Sequence, residues 1–500
     1  MSFMWNVEIL IIALVVVRIS QWLYRWSNPN VRCNGKLPPG SMGFPIIGET
    51  IEFFKPCELL EIPSFFQNRM QRYGSLFRSN IMGSKTVIST DSDVIFEIFR
   101  QENQSFELSY PDVFVRVFGK DNLFFQTGNI HKHIKKSTMQ LIGSEGLKRK
   151  MIQSMNQATR EQLKWKANEG TFDLRDAVSS LIASYLTPKL ISNLKPETQA
   201  ELIDHFKAFN IDWFRSPFAP STWKIIYKVL KARREAMQLI KEALKKRKES
   251  REKHGDFLDT LLEDMEKEDS IYDEASVINL LLVIGVVSKD TTSVATALMV
   301  NLLSKNPEVL VELKREHGAI LQKRKDKEAE LSWEEYKYNM TFTNMVINES
   351  LRLSNLGSIL FRKALKDVEI KGDYMGKIFL PTGYTIPAGW IVAVAPSVVH
   401  YNSEIYENPL EFNPWRWEGK DLRSVTKTLM VFGGGTRQCV GADFARLQMT
   451  VFLHHLVTTY DFLVVQECEM TRTPLPCFTK DLLINISPTF PSEPCSSKSS

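Results

Sequence analysis

The residues best placed to do chemistry lie in the last third of the chain. Phe432-Gly433-Gly434-Gly435-Thr436-Arg437-Gln438-Cys439-Val440-Gly441 is a glycine-rich turn that runs into an apolar helix expected from Ala442 to about Tyr460. Cys439 therefore sits just before a helix N-terminus, where free amides and the helix dipole favour a thiolate. Glycines let the backbone approach a flat ligand closely, and a thiolate is an axial ligand for haem iron. No Lys-Ser or Lys-Thr follows, so the turn is not a phosphate loop. A lone cysteine would read as a buried structural residue; the ten-residue pattern is what singles this one out.

Two further groups lie upstream. Glu349 and Arg352 are i and i+3, so they share one helix face and can pair. As an exposed pair they would be worth only a few tenths of a kcal/mol. Asp290 and Thr291 put an acid beside a hydroxyl within a long apolar segment, an arrangement that can relay protons in a distorted helix. The eight histidines show no His-Glu-x-x-His or comparable spacing that would hold another metal.

A mostly helical chain must position these groups. Long amphipathic segments are expected around 150–165, 224–248, 275–304, 307–324 and 441–460, and short strands around 75–80, 85–89, 359–370, 384–386 and 391–394. No internal repeat is evident. The basic runs Lys245–Arg251 and Lys323–Lys327 read as solvated helix ends or loops. The Ser/Pro-rich tail 491–500 reads as frayed. With 43% hydrophobic and 24% charged residues, the composition excludes a disordered, collagenous or polytopic membrane chain. A net charge of +5, dispersed along the chain, gives no footprint for nucleic acid. Six cysteines in 500 residues, none in a CxxC pair, point to reduced thiols in a cytosol-facing protein.

The N-terminus departs from a soluble pattern. Ile9–Val17 is an unbroken apolar run inside the wider stretch Phe3–Trp26, which is long enough to span a bilayer despite Glu8 and Arg18. No basic residue precedes it and no small-residue cleavage site follows, so an uncleaved anchor over residues 1–27 is expected. A peripheral amphipathic helix is the alternative. Arg18, Arg25, Arg32 and Lys36 place the body of the protein in the cytosol. Leu37-Pro38-Pro39-Gly40 and Gly43-Phe44-Pro45 then read as a stiff connector over 28–50, ahead of a single domain over 51–490.

These landmarks together resemble the cytochromes P450, haem-thiolate monooxygenases, over essentially the whole chain. Phe432, Gly435, Arg437, Cys439 and Gly441 fall on the family's cysteine-loop pattern, Glu349-Ser350-Leu351-Arg352 on its Glu-x-x-Arg helix, and Phe412-Asn413-Pro414-Trp415-Arg416-Trp417 on its aromatic-Pro-Arg motif. Asp290-Thr291-Thr292 sits where the haem-crossing helix is expected. The resemblance implies a mainly α fold with a small β domain and Cys439 as the axial ligand of the haem iron. It also implies a buried network joining Glu349, Arg352 and Arg416, and haem-propionate contacts from Arg437, Arg362, His131 and Lys135. A lysine in that last place offers a point charge rather than a fork.

The chain departs from the family at two places. Val287-Ser288-Lys289 stands where Ala/Gly-Gly-x precedes the acid, adding bulk on the face expected to look at the iron. Residues Asp373–Gly383 lengthen a strand-turn, at a closure cost of about 0.6 kcal/mol per doubling of loop length. Pro-Pro-Gly…Gly-Phe-Pro…Gly-Glu-Thr, the His131-Lys132 segment and Gly441–Arg446 look like the plant branch that oxidises triterpenoids, brassinosteroids and related isoprenoids. Candidate pocket walls are Val113, Phe114 and Val117, Phe209, Trp213 and Phe214, Ile284 and Val287, Leu356 to Leu360, and Leu475 to Phe478.

The expected function is hydroxylation of an apolar isoprenoid by a monomeric enzyme on the endoplasmic reticulum membrane. It would use dioxygen and electrons from NADPH through NADPH-cytochrome P450 reductase. Two alternatives stand beside it: a reductase-independent isomerase or dehydratase of the same fold, and a degenerate haem-binding protein. Thr291 argues against the first and the 287–289 departure supports the second.

Overall fold

The protein is described here by a computed structural model covering residues 2–29, 35–119, 122, 125–142, 145–209, 220–326, 329–370, 383–421 and 424–489. Trp213, Phe214, most of the 373–383 segment and the 491–500 tail lie outside the described residues.

Helix Ser2–Ser27 opens the chain, and Ile9 to Val17 are all exposed around its circumference. Such a helix has no core to face, and it is long and apolar enough to cross a membrane by length and composition. Its end is tied to the body, because Trp26 Nε1 donates to the Gly43 carbonyl at 3.0 Å. The connector is stitched to the sheets. Thr385 N donates to Lys36 O at 2.8 Å, Arg78 N to Pro39 O at 2.8 Å, and Arg78 Nη1 to Pro38 O at 3.0 Å. The acceptors are the Lys36, Pro38 and Pro39 carbonyls, so the segment serves as an extra edge.

A five-stranded sheet runs in the order Leu76–Ile81, Ser84–Ser89, Ile391–Val394, Leu360–Ala364, Phe106–Leu108. The first two strands form a hairpin. Ser84–Ser89 pairs parallel with Ile391–Val394 (Val87 opposite Val392), and the remaining pairs are antiparallel. Smaller sheets join Cys57–Glu58 to Glu469–Arg472 and Pro476–Lys480, and Phe172–Asp173 to Tyr460–Gln466 and Leu483–Pro488.

Val368–Ile370 pairs antiparallel with Tyr384–Ile386, and the other long elements are helices. The central helix Glu274–Lys305 starts on a reciprocal cap between Asp273 and Ser276 and is buried over most of its length. It packs against helix Leu174–Leu190, the Glu-x-x-Arg helix Thr341–Ser354 and the cysteine-loop helix Ala442–Thr459. Met299, Leu303, Val346, Ile347, Met449 and Leu453 close the core where those last two helices meet the central one.

Candidate functional site

The cysteine loop is held in place from three sides. Cys439 N donates to the Phe432 carbonyl at 3.0 Å, which closes the turn on itself. Gly435 has φ +63°, and a Cβ there would lie 2.1 Å from the Phe99 carbonyl oxygen on helix Ser92–Arg100. Glycine at 435 is thus required by contact with another helix as well as by its left-handed backbone. Lys135, on helix Gly128–Ile142, donates to the Thr436 and Gln438 carbonyls at 3.0 and 3.2 Å. Lys135 thus ties this helix to the cysteine loop.

Cys439 lies two residues before Gly441, the N-cap of helix Ala442–Thr459. The residue as a whole is exposed, but its thiol is crowded by the surrounding chain. That crowding pushes the thiol up, while the Gly441 amide and Lys135 pull it down. Phe432 carries the Arg446 guanidinium 5.3 Å from its ring centre.

Around the loop is a cluster of cations with one buried carboxylate that sequence reasoning missed. Glu102 Oε2 accepts from Arg362 Nε at 2.5 Å and Glu102 Oε1 from Arg437 Nε at 3.3 Å. Arg437 also donates to the Gln126 carbonyl. Arg362 is aimed by strand Leu360–Ala364, where it stands opposite Val392 and Leu108. His131 Nδ1 is buried without a hydrogen-bond partner among the described residues. Burial, then Arg437, Lys135 and Arg362, hold that ring down at about 4. Two guanidiniums, a lysine and a neutral imidazole against one carboxylate make a pocket that favours anions.

Glu349, Arg352 and Arg416 do come together. Arg352 forks onto Glu349 at 2.9 and 2.8 Å, both side chains fully buried, and Arg416 Nε donates to Glu349 Oε1 at 2.8 Å. Trp417 Nε1 and the Asn413 amide complete the carboxylate's shell at 3.0 and 3.2 Å. The spare guanidinium donors go to carbonyls: Arg352 to His400 and Pro409, Arg416 to Glu407 and Asn408. The second cation over one carboxylate is accommodated by those dipoles.

The central helix is continuous through Asp290-Thr291, not distorted there. The Ser288 and Thr291 hydroxyls donate to the carbonyls four residues back, Ile284 at 2.6 Å and Val287 at 3.0 Å. Ile284, Val287, Ser288 and Thr291 form a stripe at helical spacing, and Val287 is 36% exposed although most of its helix is buried. Asp290 leaves that stripe, with Oδ1 3.7 Å from Arg175 Nη2 and 3.9 Å from Lys289 Nζ.

Of the other expected pocket walls, Val113, Phe114 and Leu356 are half-buried against the core. Phe209 is buried with its ring 5.3 Å from Phe118, and Phe478 is buried with the Arg175 guanidinium 4.9 Å from its ring.

The family model for cytochrome P450 matches residues 38–489. Cytochrome P450 708A2 of Arabidopsis thaliana is 59% identical over 97% of this chain and 99% of its own length. The beta-amyrin 16-alpha-hydroxylase CYP87D16 of Maesa lanceolata is 34% identical over 97% and 99%. The cholesterol 16,22-dihydroxylase CYP90G4 of Trigonella foenum-graecum is 33% identical over 90% and 92%. Among solved structures, the retinoic acid-bound cyanobacterial CYP120A1 superposes with a TM-score of 0.76 at 21% identity, covering 91% of this chain and all of that one.

Proposed function

This chain belongs to the cytochrome P450 family, haem-thiolate monooxygenases, and on that premise we propose that it hydroxylates an apolar isoprenoid of triterpenoid or steroid type. When bound, haem supplies oxygen activation at its iron. The residues present fit that group. An exposed cysteine follows a closed glycine turn, and the cation cluster with the orphaned His131 Nδ1 suits the two propionates. Cys439 would hold the iron; Arg437, Arg362 and His131 would hold the carboxylates, with Lys135 and Gly435 fixing the loop. The Phe432 carbonyl would anchor the Cys439 backbone and the Gly441 amide would support its thiolate.

The observation that carries the substrate class is the stripe Ile284, Val287, Ser288 and Thr291. It offers the apolar side chains of Ile284 and Val287 beside two hydroxyls that are both turned back onto the helix, a surface suited to an apolar skeleton. Relatives named for beta-amyrin and cholesterol hydroxylation support the same class. Thr291 and Asp290 would hold and move the proton. Electrons would come from NADPH through NADPH-cytochrome P450 reductase, and helix Ser2–Ser27 would hold the domain on the cytosolic face of the endoplasmic reticulum. Co-expression with a reductase and a panel of triterpene synthases, followed by untargeted metabolite profiling, tests the reading. A product one oxygen heavier than a triterpene alcohol is expected, and its absence across the panel would overturn the substrate class.

A further inference from the structure

Glu102 stands between two guanidiniums that reach it from 260 and 335 residues along the chain. Its side chain is 1% exposed, and those of Arg362 and Arg437 are 3% and 7% exposed, so water screens these charges little. Each arginine gives its Nε to a different oxygen of the carboxylate, Arg362 to Oε2 and Arg437 to Oε1. The Phe99 ring, with its centre 5.5 Å from the Arg362 guanidinium, walls the group with apolar surface.

The carboxylate is also fixed in place. Glu102 lies in a tight turn between helix Ser92–Arg100 and strand Phe106–Leu108. There Asn103 N donates to Phe106 O at 2.7 Å, and Ser105 N to Gln101 O at 3.0 Å. The Asn103 side chain accepts from the Gly128 amide at 3.1 Å, which ties the turn to helix Gly128–Ile142. Phe99, three residues before Glu102, abuts Gly435 of the cysteine loop through its carbonyl. The buried negative charge therefore has a set place relative to Cys439.

We propose that Glu102 is the internal counter-charge of the haem site, a positioning residue that holds the reduction potential of the iron down through Arg362 and Arg437. The inference rests on the reading that these two arginines hold the propionates. They match the two propionates in charge, and Glu102 adds one negative charge to that balance. Reduction passes one electron from the reductase to ferric iron, breaks no bond and lowers the positive charge there by one. A fixed, poorly screened negative charge nearby favours the ferric form.

The test is a spectroelectrochemical titration of the haem-loaded full chain. Glu102→Gln keeps the size and one acceptor oxygen but removes the charge. It should favour the ferrous form about tenfold, a rise of about 59 mV for one electron. Glu102→Asp, which keeps the charge, should stay near wild type. A residue that merely braced the arginines would give the reverse order, because aspartate loses reach and glutamine does not. Should Glu102→Gln load too little haem, Arg437→Gln and the double variant Glu102→Gln/Arg437→Gln measure the same charge. The double variant leaves one bare guanidinium, not two facing each other. Its potential should lie tenfold above that of Arg437→Gln in the same equilibrium and near wild type. An unchanged potential in Glu102→Gln, or in the step from Arg437→Gln to the double variant, overturns the proposal and leaves the propionate reading intact. Haem loss to excess apomyoglobin as slow as wild type in both Arg362→Gln and Arg437→Gln overturns the propionate reading itself.

Discussion

The Nδ1 atoms of His317 and His454 stand 2.9 Å apart in the core, a contact that only one proton can occupy. The surroundings decide which ring holds it. Glu316 accepts from Thr343 Oγ1 at 2.5 Å, so the Thr343 oxygen is left to accept from His317 Nε2 at 3.1 Å. His317 Nδ1 must then accept, His454 Nδ1 must donate, and His454 Nε2 faces the Arg324 guanidinium at 3.4 Å. The chain of bonds runs one way only while both rings are neutral.

Acid should therefore destabilise the fold. Burial foremost, then Arg324 and His455, holds His317 down at about 3, and His454 lies well below its ordinary value for the same foremost reason. His455, bonded to Asn156 at 2.8 Å, is held at about 4 by burial, then Arg160 and Arg324. Arg160 and Arg324 pair with Glu330 and Glu335. Depressed histidines bind protons first in the unfolded chain, so stability is full above about pH 6.5 and falls as pH drops toward 4. Each contributes up to about 1.4 kcal/mol per pH unit. Unfolding midpoints between pH 7 and 5 should show a steep decline that His454→Gln flattens; equal slopes in both proteins would refute the assignment.

Glu102→Gln should be among the more damaging single changes outside the hydrophobic core. It leaves Arg362 and Arg437 facing each other with no shared carboxylate, and breaking a buried pair costs about 3–5 kcal/mol. Calorimetry of the purified variant would show a clear loss of thermal stability. A midpoint equal to wild type would mean that the two guanidiniums find other partners.

Variants around Glu349 should fall in a set order. Arg352→Ala removes the fork and the carbonyl bonds in a fully buried site, Arg416→Ala one bond to Glu349 and two to exposed carbonyls, and Trp417→Phe a single bond worth about 1–2 kcal/mol. Yield of folded, haem-loaded protein should decline in that reverse order, mildest for tryptophan. Normal haem content and stability in Arg416→Ala would sink the network as a folding element.

Val287→Ala and Ser288→Gly should separate. Val287 presents an open face, so its truncation should broaden the product distribution with coupled turnover retained. Ser288 spends its hydroxyl on Ile284, so glycine there should mainly cost helix stability, by about 0.5–1 kcal/mol. Product distribution and product per NADPH in the two single variants decide it. No change from Val287→Ala would show that this side chain does not meet substrate.

Much of this was legible because local pattern carried it. The expected strands at 85–89, 384–386 and 391–394 coincide with those observed, and the long helices differ only at their ends. The pairing of Glu349 with Arg352 follows from i, i+3 spacing alone, whereas Arg416 needed the family resemblance. Glu102 was invisible because its partners lie 260 and 335 residues away and a single glutamate has no local signature. His317 and His454, 137 residues apart, were hidden for the same reason. The strand Tyr460–Gln466 escaped because Phe462-Leu463-Val464-Val465 is a continuous apolar run, so the alternating burial seen in the fold has no counterpart in the residue types. Lys135 could be recognised as a cation near the site, but only the fold shows that loop carbonyls occupy it.

The central claim is tested most directly by supplying isotopically heavy dioxygen to membranes that contain this protein, a reductase, NADPH and the triterpenoid identified by profiling. The account predicts a product carrying one heavy oxygen atom, formed only with NADPH and reductase and lost in Cys439→Ser. A product that forms without reductase, or without the label, would contradict it.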